Sequence, residues 1–333
     1  MTALHLPPPP QHGGRRREAA QRYGIPLEQW LDLSTGINPR GYPVPNIPAE
    51  AWAFLPEDGD GLESAAAQYY GTHAVLPVAG SQAAIQALPR LLKGRRVTIA
   101  SPTYAEHAHA WRDRAPQPVP FDQFCTVSRD ADIAIVVHPN NPTAETLPTG
   151  QLLDLHRQLA ARGGTLIIDE AFADPSPGIE LTRPGGVEGL VVLRSLGKFF
   201  GLAGARVGFV IAPERLRTAL GHLLGPWPIA GPARFVARQA LLDTVWQDAT
   251  RQRLHEDAGR LSSLLQRLAI GTVRGCALFQ QIETPHAAAL HHHLAGDAIL
   301  VRLFSSPSCV RFGLPGTSSE WMRLERALDS FVP

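Results

Sequence analysis

Short apolar runs alternate with amphipathic stretches through the first two thirds of the chain. Residues 81–92 read as a helix, 96–100 as a strand, 104–114 as a helix and 131–137 as an unbroken apolar strand. Residues 152–161 are again helical, and 165–168, 189–193 and 207–211 are further strands. Strands that are apolar on both faces and separated by helices predict a mostly parallel sheet flanked by helices, an α/β fold. Before it lies a Pro- and Gly-rich arm with one short helix at 16–23. After about residue 231 the pattern changes to two long amphipathic helices, 234–246 and 251–268. Strands at 271–274 and 277–282, a helix at 286–294, a strand pair at 299–303 and 309–312 and a last helix at 319–331 complete a smaller α+β unit. The expected organisation is an arm (1–48), a large domain (49–230) and a small domain (231–333). No internal repeat is present, and the only low-complexity tract is the proline run at 7–10.

Composition narrows the function. At 333 residues the chain is long enough for about two domains and a core that needs no disulfide or metal staple. Thirty-one basic against thirty acidic residues leave a net charge of +1, which gives no electrostatic reason for nucleic acid or an acidic membrane as partner. No apolar run approaches the roughly 20 residues of a membrane span, and the first residues lack a signal-peptide core. The three cysteines, Cys125, Cys276 and Cys309, form no C-x-x-C pair, which fits a cytoplasmic protein. No metal site is expected: His107 and His109 are two apart on a helix, and His291–His293 are consecutive and splay.

Only two of the basic residues are lysines, Lys93 and Lys198. Arginine stays protonated in a protein, whereas a buried lysine can become a neutral amine nucleophile. Lys93 ends a helix in LLKGRR and is unremarkable there. Lys198 stands in GLVVLRSLGKFFGLAGARVGFVIA, where a buried strand runs into a loop holding Ser195, Gly197 and Lys198, followed by glycines and Arg206. Loops beyond the carboxyl ends of parallel strands are where α/β proteins bind ligands. A lysine beside a hydroxyl and an arginine there can bond an aldehyde cofactor whose phosphate the other two hold.

Other strand ends carry matching groups. Asp169, in LIIDEAFAD, is a carboxylate able to keep a pyridine nitrogen protonated, although an acid there can also serve only to cap a helix. Asn141, in HPNNPT, can donate to a phenolate oxygen or be an ordinary turn residue. Gly80 and Ser81 open a helix whose first N–H groups suit an anion, or Ser81 simply caps it. Tyr104, in SPTYAEH, can stack on a flat ring or lie in the core.

Taken in order, G-S-Q, P-T-Y, N-N-P-T, D-E-A-F and S-x-x-K-x7-R resemble the fold-type I pyridoxal-phosphate enzymes. The likeness is to the branch that contains histidinol-phosphate aminotransferases and threonine-phosphate decarboxylases, and it runs from His12 to the final helix. It implies pyridoxal 5'-phosphate bound covalently by Lys198, with Asp169 at the pyridine nitrogen, Asn141 at the ring hydroxyl and Tyr104 stacked on the ring. Gly80, Ser81, Gln82, Ser195 and Arg206 would hold the phosphate. It also implies a homodimer. Four positions depart from the pattern: Phe172 stands for a tyrosine, Gly197 for a serine, Ala144 for a glycine, and Leu55 for a tyrosine that reaches the neighbouring subunit's cofactor.

The cofactor leaves the reaction open, because the protein selects the bond to be broken by where it pins the substrate. Arg302 and Arg311, on neighbouring strands, can each fork a carboxylate or phosphate. The segments HGG at the N-terminus, LDLSTGINPRGYP and LGPWPIAGPA resemble those of threonine-phosphate decarboxylases. That likeness assigns His12, Asn38, Arg302 and Arg311 to a small phosphorylated amino acid. It implies decarboxylation of O-phospho-L-threonine to an aminopropanol phosphate, used for cobalamin. The alternatives are an aminotransferase of the histidinol-phosphate type, or a catalytically silent relative that only binds.

Overall fold

The computed structural model describes residues 8, 10–178, 180–181 and 185–333. Part of the proline run at 7–10 therefore lies outside the described residues. Seven strands form the main sheet: β2 (Val75–Val78), β3 (Val97–Ser101), β4 (Gln117–Pro120), β5 (Ile133–Val137), β6 (Thr165–Asp169), β7 (Leu190–Ser195) and β8 (Gly208–Ile211). A two-residue strand in the arm, β1 (Leu31–Asp32), precedes them. The sheet order is β2-β8-β7-β6-β5-β3-β4. Strands β3 to β7 run parallel, and β8 is antiparallel to both of its neighbours.

Every residue of β5 and β6 is buried. Their unbroken apolar runs answer to helices packed over both faces, among them Ser81–Leu91, Thr149–Ala160 and Glu214–Leu224. The parallel strands therefore release their chain on one side of the sheet. Ser101, Val137, Asp169 and Ser195, the last residues of β3, β5, β6 and β7, all end at that edge.

Toward the C-terminus a four-stranded antiparallel sheet, ordered β12-β13-β10-β9, forms from β9 (Thr272–Cys276), β10 (Phe279–Glu283), β12 (Arg302–Ser305) and β13 (Ser308–Gly313). The strand expected at 299–303 divides in two. Ile299–Leu300 is β11 and pairs in parallel with β1, which joins the N-terminal segment to the C-terminal strands. Arg302 onward pairs with β13. The helix expected to run to residue 246 ends at Leu242. Asp243 accepts a hydrogen bond from the Trp246 backbone N–H at 2.9 Å and so caps a new helix, Thr244–Arg267. The helix before this break, Gly231–Leu242, packs against the helix Leu62–Tyr70. Among the described residues no helix is long and apolar enough to cross a membrane.

Candidate active site

The loops leaving β3, β5, β6 and β7 enclose a cavity of about 100 Å³ lined by Ser81, Gln82, Tyr104, Asn141, Asp169, Ser195, Lys198 and Arg206. These are the residues expected to meet a cofactor, apart from Gly80, which lies immediately beside it. Gly80 has φ +71°, and a Cβ there would fall 2.6 Å from Arg206 Nη2. Glycine thus lets the guanidinium reach the first turn of the Ser81–Leu91 helix. No side chain caps that turn, so its N–H groups and the arginine together form an anion-binding corner.

Asp169 is buried at 3% exposure. His107 Nε2 lies 3.0 Å from its Oδ2, and the Ala171 N–H donates to its Oδ1 at 3.1 Å. Lys198 lines the cavity with Nζ 5.3 Å from the centre of the Phe172 ring. Burial, with the positive charges of Arg311 and Arg206 opposed by Asp169, brings its amine down to about 8. That puts a usable fraction of neutral amine within reach of neutral pH. Asn141 accepts a hydrogen bond from Arg311 Nη1 through Oδ1, which leaves its NH2 group as a donor toward the cavity. Burial pushes the Tyr104 hydroxyl well above its ordinary range, so its ring stays neutral. An amine, a carboxylate, an amide donor, an aromatic ring and an anion-binding corner in one cavity fit pyridoxal phosphate.

A second cavity of about 380 Å³ shares Tyr104, Asn141, Phe172 and Lys198 with the first and adds His12, Arg302 and Arg311. Arg302 and Arg311 are paired across β12 and β13. Arg311 is buried, donates to Ser34 O at 2.8 Å, and is held down to about 10 by burial and by Arg302. Arg302 donates to Gln11 O at 2.8 Å. Three of the four expected substrate residues therefore meet here, and Asn38 does not. Its NH2 group donates to Phe199 O at 2.9 Å and its backbone N–H to Lys198 O at 3.0 Å, while Arg253 and the Arg40 N–H donate to its Oδ1. Asn38 braces the lysine loop, and one of its two amide hydrogens has no partner among the described residues.

Sequence spacing missed three participants. His107 entered only as an excluded metal ligand, yet it lies three residues after Tyr104 on one helix face and orients Asp169. Glu106 is buried at 7% exposure between His12 and Gln82. Arg194 joins Glu170 and Asp174 beneath the lysine loop. Burial lifts Glu170 to about 7 against the pull of that arginine. Leu55 is exposed, as are its neighbours Trp52 and Phe54.

A family model for aminotransferase class I and II matches residues 54–330. A threonine-phosphate decarboxylase from Pseudomonas aeruginosa is 50% identical over 323 residues, covering 96% of this chain and 98% of its own. Another of that name, from a Sinorhizobium species, is 40% identical and covers 96% of this chain and 98% of its own. The solved histidinol-phosphate aminotransferase of Sinorhizobium meliloti, in complex with pyridoxal-5'-phosphate, has a TM-score of 0.80 at 17% identity. It covers 98% of this chain and 97% of its own, a likeness of fold.

Proposed function

Because the chain belongs to the aminotransferase class I and II family, we propose that it is a pyridoxal-phosphate enzyme that decarboxylates O-phospho-L-threonine to (R)-1-aminopropan-2-yl phosphate, the aminopropanol unit of cobalamin. The observation that carries this reading is the adjoining pair of cavities. One holds Lys198 and Asp169, and the other carries Arg302, Arg311 and His12.

Bound pyridoxal phosphate supplies an electron sink for the pair released when a bond at the substrate's α-carbon breaks. Asp169, oriented by His107, keeps a proton at the pyridine nitrogen. Asn141 donates to the ring hydroxyl, Tyr104 covers the ring, and Ser81, Gln82, Ser195 and Arg206 hold the phosphate. Arg311 and Arg302 select the bond. A substrate with two anions is gripped at the deep end by Arg311 and at the mouth by Arg302 and His12. That double grip would fix the orientation of the substrate's carboxylate and so favour breaking its bond to the α-carbon over the bond to hydrogen. Lys198 Nζ, which lines both cavities, would serve as the acid that returns a proton to the α-carbon after carbon dioxide has left. The exposed Val44, Trp52, Phe54 and Leu55 on one segment support a homodimer, and the cysteine pattern supports a cytoplasmic location.

The test is direct. With pyridoxal phosphate and O-phospho-L-threonine, the purified protein releases carbon dioxide stoichiometrically with amine. Conversion of an oxo acid to an amino acid without gas assigns an aminotransferase instead. A protein that shows no visible absorbance band, or whose band survives in Lys198→Ala, is not a pyridoxal-phosphate enzyme acting through Lys198.

A further inference from the structure

The arm crosses the mouth of the larger cavity at residues 10–13. Gly13 fits there because a Cβ would fall 2.3 Å from Ser34 O, and the Gly14 N–H donates to Ser34 Oγ at 2.7 Å. Those contacts hold the backbone. The side chain that reaches inward is His12, whose Nε2 lies 2.6 Å from Glu106 Oε1. The other oxygen of Glu106 accepts from Gln82 Nε2 at 2.6 Å, and Tyr104 OH donates to Gln82 Oε1 at 3.3 Å.

A carboxylate beside a site for a doubly charged phosphate repels it and weakens binding unless its own charge is fully engaged. Glu106 meets that condition, with each oxygen accepting one short hydrogen bond. Engaging Nε2 also turns the imidazole so that Nδ1 is the ring nitrogen left without a partner among the described residues. A ring tethered at Nε2 is held in one orientation, and in its doubly protonated form it presents Nδ1–H as a donor that needs no ordering when the substrate arrives.

We propose that Glu106 is a positioning residue for the substrate's phosphate. It fixes His12 across the cavity mouth and, through Gln82, ties that grip to the residues around the cofactor. This rests on the reading that the substrate is a phosphorylated amino acid, but one consequence does not depend on it. With Glu106 removed, the arm loses its inward anchor whether or not any substrate binds.

The experiment has two arms. In the holoenzyme, Glu106→Gln and Glu106→Ala each raise KM for O-phospho-L-threonine about tenfold or more, while kcat falls less than threefold and the visible cofactor band is retained. Adding Glu106→Ala to His12→Ala produces no further rise, because both changes remove one interaction. Without substrate, amide hydrogen exchange at Gly14, whose N–H donates to Ser34 Oγ, quickens at least tenfold in Glu106→Ala. Additive effects on KM, a loss confined to kcat, or loss of the cofactor band overturns the proposal, as does unchanged exchange in the arm. If the wild type fails to decarboxylate phosphothreonine while exchange quickens as stated, the substrate assignment fails and the anchoring of His12 by Glu106 stands.

Discussion

Replacing Lys198 by methionine in the cofactor-free protein should make it more stable, and by an amount that depends on pH. The amine titrates at about 8 in the fold against 10.5 for a free lysine. At about 1.36 kcal/mol per pH unit, holding the charged amine in the site at pH 7 costs ~3.4 kcal/mol. That is an upper figure, because Lys198 opens onto a cavity whose water screens it. The sign follows from proton binding. Between pH 8 and 10.5 the unfolded lysine holds a proton that the folded one has lost, so wild-type stability rises with pH across that window. The same linkage leaves a cost of only ~1.4 kcal/mol at pH 9.5. With an unfolding entropy of about 2.1 cal/mol/K per residue, 333 residues give ~0.7 kcal/mol/K. Lys198→Met should then melt up to ~5 °C above wild type at pH 7 and about 2 °C above it at pH 9.5. Scanning calorimetry of both cofactor-stripped proteins at the two pH values measures this. An advantage that is absent, or equal at both pH values, refutes the claim that a desolvated amine sits at this position.

His107→Leu removes a hydrogen bond to a charged carboxylate, worth about 1.5–3 kcal/mol. It should lower kcat/KM by about 10- to 100-fold with the protein still folded, and a change under threefold in steady-state assays contradicts its role at Asp169. Arg194→Ala leaves Glu170 and Asp174 buried without their cation. The expected loss is about 3–5 kcal/mol, or a melting point lower by roughly 4–7 °C; an unaltered melting point shows the cluster to be neutral. Ala144 has φ +59°, a conformation that costs a residue with a Cβ about 1–2 kcal/mol. Ala144→Gly should therefore gain up to about 1 kcal/mol after the extra freedom of the unfolded chain is counted. A loss in a denaturant titration refutes the strain.

Much of the architecture was readable in advance because the strands that build the site are buried on both faces, which leaves an unbroken apolar run for each. The run before Asp169 and the run before Ser195 marked their own ends, and those ends carry the chemistry. The edges were less legible. Strand β2 is four residues long with Pro77 inside it, and β4 contains Pro118 and Pro120. Neither shows a period long enough to distinguish it from a loop. Asn38 has the residue type of a ligand, but its bracing contacts to Phe199 O and Arg253 could not be read locally, because those partners come from distant segments.

The order of residues along the chain sufficed for the parallel sheet, the lysine at its mouth and the class of cofactor chemistry, because each is encoded within a dozen neighbouring positions. Folding chose the partners of those groups. His107 meets Asp169 across 62 residues, His12 meets Glu106 across 94, and Arg311 meets Asn141 across 170. Contacts at such separations depend on how helices and sheets pack against one another, and local hydrophobic periodicity carries no record of which polar groups that packing brings together.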